Sequence, residues 1–253
     1  MARIIEKELN NWDEITNLFH YTFTYFNGFI FRGHANAEWK LESTFTRATK
    51  NLSRKQSIED IYETHLDNFK YNIRGRVKAN LNMISEDEIL ALGQHFGLHT
   101  PLLDWTESPY VGLFFACQGV SDKGKRCIWA ISNSLISDME GIDSPKKIKK
   151  IRSLTNENPR LVSQQGLFLK LPIDNSLEEV IKKTSSSSDG ITAFKIIFDD
   201  SLTKDALASL NNMNINNLTL FPDLTGSSLF TNYQLEIEDH LVNKRNEIWE
   251  SQK

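Results

Sequence analysis

A chain of 253 residues is long enough to bury one large core or two modest ones, and its 29 basic against 33 acidic residues leave a net charge of −4 and a pI near 5.9. That balance excludes a general attraction to phosphate backbones or anionic lipid, so any nucleic-acid contact has to come from a local patch. The two cysteines, Cys117 and Cys127, form no CxxC motif and have no histidine at metal-ligand spacing, which argues against a structural zinc and for a reduced compartment.

The start, MARIIEKELNNWDEI, is charged and amphipathic and lacks the apolar core of a signal peptide, and no run of about 18 apolar residues occurs. A soluble, cytoplasmic chain with no membrane contact is expected. Trp12, Ile15, Leu18 and Phe19 share one helical face, predicting a short helix over 11–22 within a helical N-terminal segment, 1–27. FNGFIFRGHA, dense in aromatics and bounded by Gly28 and Gly33, reads as a short buried strand, and AEWKLESTFTR as a loop and edge segment.

Ile58, Ile61, Tyr62, His65, Phe69, Ile73 and Val77 recur at three- and four-residue steps, which predicts a long amphipathic helix over 57–77. Ser85 and Glu88 have capping-box spacing and Gly97 is a natural stop, giving a helix over 86–96. Ser108 followed by Pro109 is an N-cap and first-turn pair, so another helix runs over 109–118.

RCIWAIS, RLVSQQGLFLKLP and ITAFKIIF read as strands, KTSSSSDG as a flexible loop, and SLTKDALASLNNM as a helix opened by Ser201. LFPDLTG reads as a turn, followed by a C-terminal helix over 231–253 with a break near 231–233. The basic runs KYNIRGRVK, 70–78, and KKIKKIR, 146–152, fall on expected helices; they are solvated faces unless the target is nucleic acid, in which case they are its phosphate contacts. Without repeats or a linker, the chain is expected to be one α+β domain.

Two stretches invite chemistry. In FIFRGH, Arg32 ends a buried strand, where a guanidinium needs a partner. It is either half of an internal salt bridge, for example to Asp104, or an anchor for an anionic ligand. In LGQHFGLHTPLLDWTESPYVGLFFA, polar residues Gln94, His95, His99, Thr100, Asp104, Thr106, Glu107 and Ser108 interrupt an apolar pattern. Asp104, Thr106 and Ser108 are expected at a helix N-terminus, where free N–H groups, hydroxyls and a carboxylate suit a phosphate or ribose. The plainer reading makes Thr106 or Ser108 the helix cap and Trp105 core.

These residues also carry a resemblance. FIFRGHANAEWKLESTFTR, the 92–116 block, NPRLVSQQGLFLKLP and LTLFPDLTGSS resemble the blocks of the FRG domain family, in order, over about residues 28–230. His99 before Thr100, and Leu102 directly after Pro101, depart from the family's usual proline and arginine and remove one basic group. The aromatic-Arg-Gly strand and Ser/Thr turn are more distantly similar to ADP-ribosyltransferases of the Arg-Ser-Glu type.

That second resemblance implies a split, mixed or antiparallel sheet with helices around it, and NAD as the small molecule. It implies Arg32, Gly33, His34, His95, Thr100, Trp105 and Ser108 as NAD-binding residues, with Arg32 matching the first motif and Thr106 with Ser108 the second. The family's catalytic glutamate has no counterpart in RLVSQQGLFLK, so either Gln165 takes its place or an acid comes from elsewhere. Asp104, Asp223 and Glu107 are the candidates, Asp104 first. Gln164 and Gln165 are otherwise buried amides bonded to backbone.

The activity implied is NAD-dependent ADP-ribosylation of a macromolecule, RNA ahead of protein or DNA, by a toxin of a bacterial toxin–antitoxin or anti-phage system. A neutralising antitoxin would dock on the exposed apolar faces of the 57–77 and 234–249 helices. The rivals are a non-catalytic module that binds a nucleotide or phage component and signals to a partner, and a metal-dependent nuclease using Asp104, His95 and Glu107.

Overall fold

The structure, a computed structural model, describes residues 3–25, 28–53, 55–77, 80–120, 124–141, 147–153, 159–184 and 193–252. A seven-stranded sheet has the order β1-β7-β4-β2-β3-β6-β5. Its strands are β1 (Ile4–Leu9), β2 (Phe29–His34), β3 (Leu102–Thr106), β4 (Lys125–Ser132), β5 (Lys149–Ile151), β6 (Gly166–Lys170) and β7 (Ala193–Asp199). β1 and β7 run parallel and the other neighbours antiparallel, so the α+β class with a mixed sheet holds.

The sheet divides at its middle. β2 pairs with β4 from Phe29↔Ser132 to His34↔Cys127, but with β3 only at Phe31↔Thr106. Beyond that point β2 and β3 part. Side chains alternate across a strand, so Phe31, Thr106, Asp104 and Leu102 belong to one face, and Ile30, Leu103 and Trp105 to the other.

The second face is closed by a continuous core of Ile30, Leu103, Trp105, Trp129, Leu167 and Leu169 under α6 (Asn133–Glu140) and α8 (Leu177–Lys183). The first face is covered in two pieces. Phe31, Ile128, Phe194 and Phe198 lie under α1 (Trp12–Leu18), α5 (Pro109–Ala116) and α9 (Thr203–Asn212). Leu102, Ile151 and Phe168 lie under α3 (Ile58–Asn72) and α4 (Glu86–His95). Between these two clusters the β2–β3 split stays open.

Several expectations change. Residues 4–9 are a strand rather than part of a helical segment, because Ile5 and Leu9 alternate onto one core and Ile4 onto the other. LLDWT is β3, not a helix approach, so Asp104 and Trp105 project from a strand. STFTR forms α2 (Thr44–Thr49), with the Ser43 hydroxyl accepting from Thr46 N. RLVS belongs to α7 (Pro159–Ser163), and the described part of the 146–152 basic run holds β5 instead of a helix.

Ser201 does not open α9; Asp199 caps a short 3-10 turn ahead of it. After α10 (Asn217–Leu220), α11 runs unbroken from Leu224 to Ser251 through 231–233. The apolar side of α3 is covered rather than exposed, since Tyr62, Leu66 and Phe69 join the α4 cluster. Of the KTSSSSDG loop, residues 185–190 lie outside the described residues.

Candidate functional site

A cleft of about 570 Å³ opens where β2 and β3 part, a size within the range of small-molecule sites. Arg32, Gly33, Asp104, Trp105 and Thr106 line its floor; Gln94 and His95 of α4 stand on one side. Phe115, Gln118, Gly119 and Val120 at the end of α5, with Arg160, Leu161, Gln164 and Phe221, line it further.

Gly33 is what lets α5 form a wall so close to the strand. A Cβ there would stand 2.2 Å from both Ala116 N and Gly112 O, backbone atoms that cannot swing aside. Gly112 repeats the condition from the helix side, where a Cβ would sit 2.9 Å from Phe31 Cβ. Ser108 caps this helix through Val111 N at 3.3 Å and does not line the cleft.

Arg32 bridges the gap that the missing ladder leaves. Its Nη1 donates to the Asp104 carbonyl at 2.6 Å and lies 3.7 Å from Asp104 Oδ2, while Nε donates to His34 Nε2 at 3.1 Å. Nη2 bonds to no described residue. Burial draws the arginine's pKa down, Asp104 opposes this, and Arg47 of α2 adds to it; arginine nevertheless stays charged. His34 is pushed down to about 3, first by burial and then by Arg32, so it is neutral and accepts. Expected as a ligand contact, His34 instead lies buried behind Arg32 and fixes its fork.

Asp104 is the carboxylate that faces the cleft, with a side chain 68% exposed. Gln94 Nε2 donates to its Oδ1 at 2.8 Å, and the Gln94 carbonyl accepts from the Thr100 hydroxyl. Thr100, also expected to touch ligand, is fully buried: it exchanges bonds with Thr44 and fixes Gln94 from behind.

The later strand brings in Gln164 rather than Gln165. Gln165 adopts a left-handed conformation, φ 48°, is exposed, and does not line the cleft; this turn between α7 and β6 aims it outward. Gln164 instead ties three segments, its carbonyl accepting from Thr106 Oγ1 at 2.7 Å and its amide donating to Leu220 O at 3.0 Å. Thr106 Oγ1 also accepts from Ser108 N at 3.1 Å, so this hydroxyl is fully used in shaping the turn.

Glu107 pairs with Arg152 outside the cleft, so Asp104, His95 and Glu107 are not assembled together. Among the described residues no group of three or more His, Cys, Asp or Glu is placed to hold a metal ion. Asp223 caps α11 through Gly226 N at 3.1 Å and accepts from Arg160 Nε at 2.8 Å. Cys117 and Cys127 are free and buried, each pushed up to about 12 by burial, and are inert as nucleophiles.

Sequence reasoning did not single out Arg160, Phe221 or Trp39. Arg160 lies 5.3 Å from the Phe221 ring, and Trp39 is half exposed at the mouth beside His34. The only local sign was that each falls within one of the family-like blocks.

The chain carries an FRG domain: the family model matches residues 27–125, from the start of β2 to the first residue of β4, and so takes in Arg32, Gln94, Asp104 and Thr106. No curated protein and no solved structure matches the chain. Among the described residues no helix is long and apolar enough to cross a membrane.

Proposed function

We propose that this FRG-domain chain uses the β2–β3 cleft to bind NAD and transfer its ADP-ribose to a macromolecule, RNA before protein or DNA. The observation that carries the reading is Arg32, a charged fork held open in a nucleotide-sized cleft with Nη2 unpaired among the described residues and a carboxylate opposite. The donor set fits NAD. Arg32 would hold the diphosphate, and Trp39, Phe115 and Phe221 offer rings to the flat groups.

The chemistry NAD supplies is a ribose–nicotinamide bond whose cleavage develops positive charge on the ribose. Asp104 opposes such charge, and Gln94 with Arg32 fixes its orientation beforehand, so little reorganisation is needed at the moment of reaction. A toxin in a bacterial toxin–antitoxin or anti-phage system, with a silencing partner in the producing cell, is the setting such an activity suits. Gln165 and Thr106 take no direct catalytic part in this reading: one faces out and the other's hydroxyl is consumed by backbone.

A second reading, a binding module without transfer, is favoured by one fact. Asp104 is already bonded, and among the described residues the cleft lining contains no glutamate. Incubation with NAD labelled in its ADP-ribose, with RNA, DNA and protein offered separately, tests both. Label entering the RNA is expected. NAD bound without nicotinamide release would leave only the binding module.

A further inference from the structure

α11 is long and barely buried. Over 28 residues, only Gly226 and Ile237 are buried, and His240 holds the helix to α9 through Asp205 at 2.7 Å. Beyond His240, residues 241–251 form no hydrogen bond or ion pair with another element among the described residues. A helical piece of that length has little stability alone in water.

The outward side is apolar. Leu235, Val242 and Trp249 recur every seven residues, so they stay within about 20° of one line along the helix. That line stands roughly 140–160° around from Ile237 and His240, facing away from the domain. Leu235 is 81% exposed, Val242 38% and Trp249 67%, whereas Leu241 and Ile248 lie about 100° to one side, on the line of Ile237. Isolated exposed leucines need no explanation, but a stripe at a fixed period does.

Charge on the stripe's flank selects the occupant. Glu238 lies four residues before Val242 and Arg245 three after it, both on the same side of the stripe. They are 3.9 Å apart within this chain, with side chains 67% and 70% exposed, a contact of little worth that can be exchanged. In an antiparallel pair with a two-fold axis at Val242, Arg245 of each copy faces Glu238 of the other. Leu235 then meets Trp249, and Val242 meets itself, a self-complementary contact that closes at two copies.

We propose that the chain forms a dimer through antiparallel pairing of α11 along Leu235, Val242 and Trp249. Sedimentation of the full chain over a concentration series is expected to show mass doubling. Val242→Glu is expected to weaken association by about tenfold or more, because it places a carboxylate at the buried centre. Glu238→Arg and Arg245→Glu are each expected to weaken it, and an equimolar mixture of the two to restore it by re-forming opposite pairs. All three sites are exposed, so thermal melting of the domain should be unchanged in each variant. A monomer at every concentration, a dimer indifferent to Val242→Glu, or a mixture no tighter than its components would overturn the proposal.

Discussion

Arg126 and Arg32 lie on neighbouring strands, β4 and β2, and the molecule uses them in opposite ways. Arg126 is closed on every nitrogen: Nε reaches Asp200 at 2.5 Å, Nη1 the carbonyls of Ala116 and Gln118 at 2.7 and 3.1 Å, and Nη2 that of Gly119 at 2.8 Å. Arg32, which lines the cleft, spends Nε on a neutral histidine and Nη1 on a carbonyl, and its Nη2 bonds to no described residue. A guanidinium with no donor left is a clamp. One held rigid with a donor to spare suits the anion-binding role proposed for it, and the clamp fixes the carbonyls of Ala116, Gln118 and Gly119, the last two of which belong to residues lining the cleft.

The contrast breaks first in stability. Arg126→Ala leaves a half-exposed carboxylate and three carbonyls, that of Ala116 buried, without their donor and is expected to cost about 3 kcal/mol in denaturant unfolding. Arg32→Ala, on the floor of an open cleft, should cost under about 2 kcal/mol. Equal costs would mean that both arginines are structural.

Next comes pH. His34 has its pKa depressed to about 3 from 6.5, so the unfolded chain takes up this proton more readily. The stabilisation is fully present above 6.5 and is lost as pH falls toward 3, with a slope of up to about 1.4 kcal/mol per pH unit. Unfolding measured across that window should show the slope in the native chain and lack it in His34→Gln. Identical profiles would remove His34 from behind Arg32.

Gln94→Ala is a smaller perturbation. It should change stability by only about 1 kcal/mol while slowing nicotinamide release about tenfold, since Asp104 loses its fixed orientation. A turnover rate equal to the native one would show that Asp104 needs no holding. Ser108→Ala should be the mildest, lowering stability by about 1 kcal/mol through the lost cap of α5, with NAD affinity retained. Loss of NAD binding there would return Ser108 to the cleft.

How far the sequence could be read follows from the range of each interaction. β2, α3, α4 and α5 were legible because periodicity and caps are local: Ser85 and Ser108 both cap as their spacing predicts. β3 was not, because five residues with an aspartate at the centre sit against a strong helix signal. The strand shows only once Leu103 and Trp105 have a core to enter.

The cleft was half legible. Arg32, Gln94 and Asp104 stood out as polar groups in apolar surroundings, and the structure brings them within bonding distance. Neither Gln164's bridge from Thr106 to Leu220 nor Arg160's place beside Phe221 could be seen, since each spans more than fifty residues. The exchange of Gln165 for Gln164 turns on one left-handed residue, which no pattern of side chains announces.

The most direct test is nicotinamide release from NAD by the native chain and by Arg32→Ala, compared at matched folded concentration. If the spare donor of Arg32 receives the diphosphate, the variant should lose release by about a hundredfold or more while its fold persists. An unchanged rate in a folded Arg32→Ala would contradict the account at its centre.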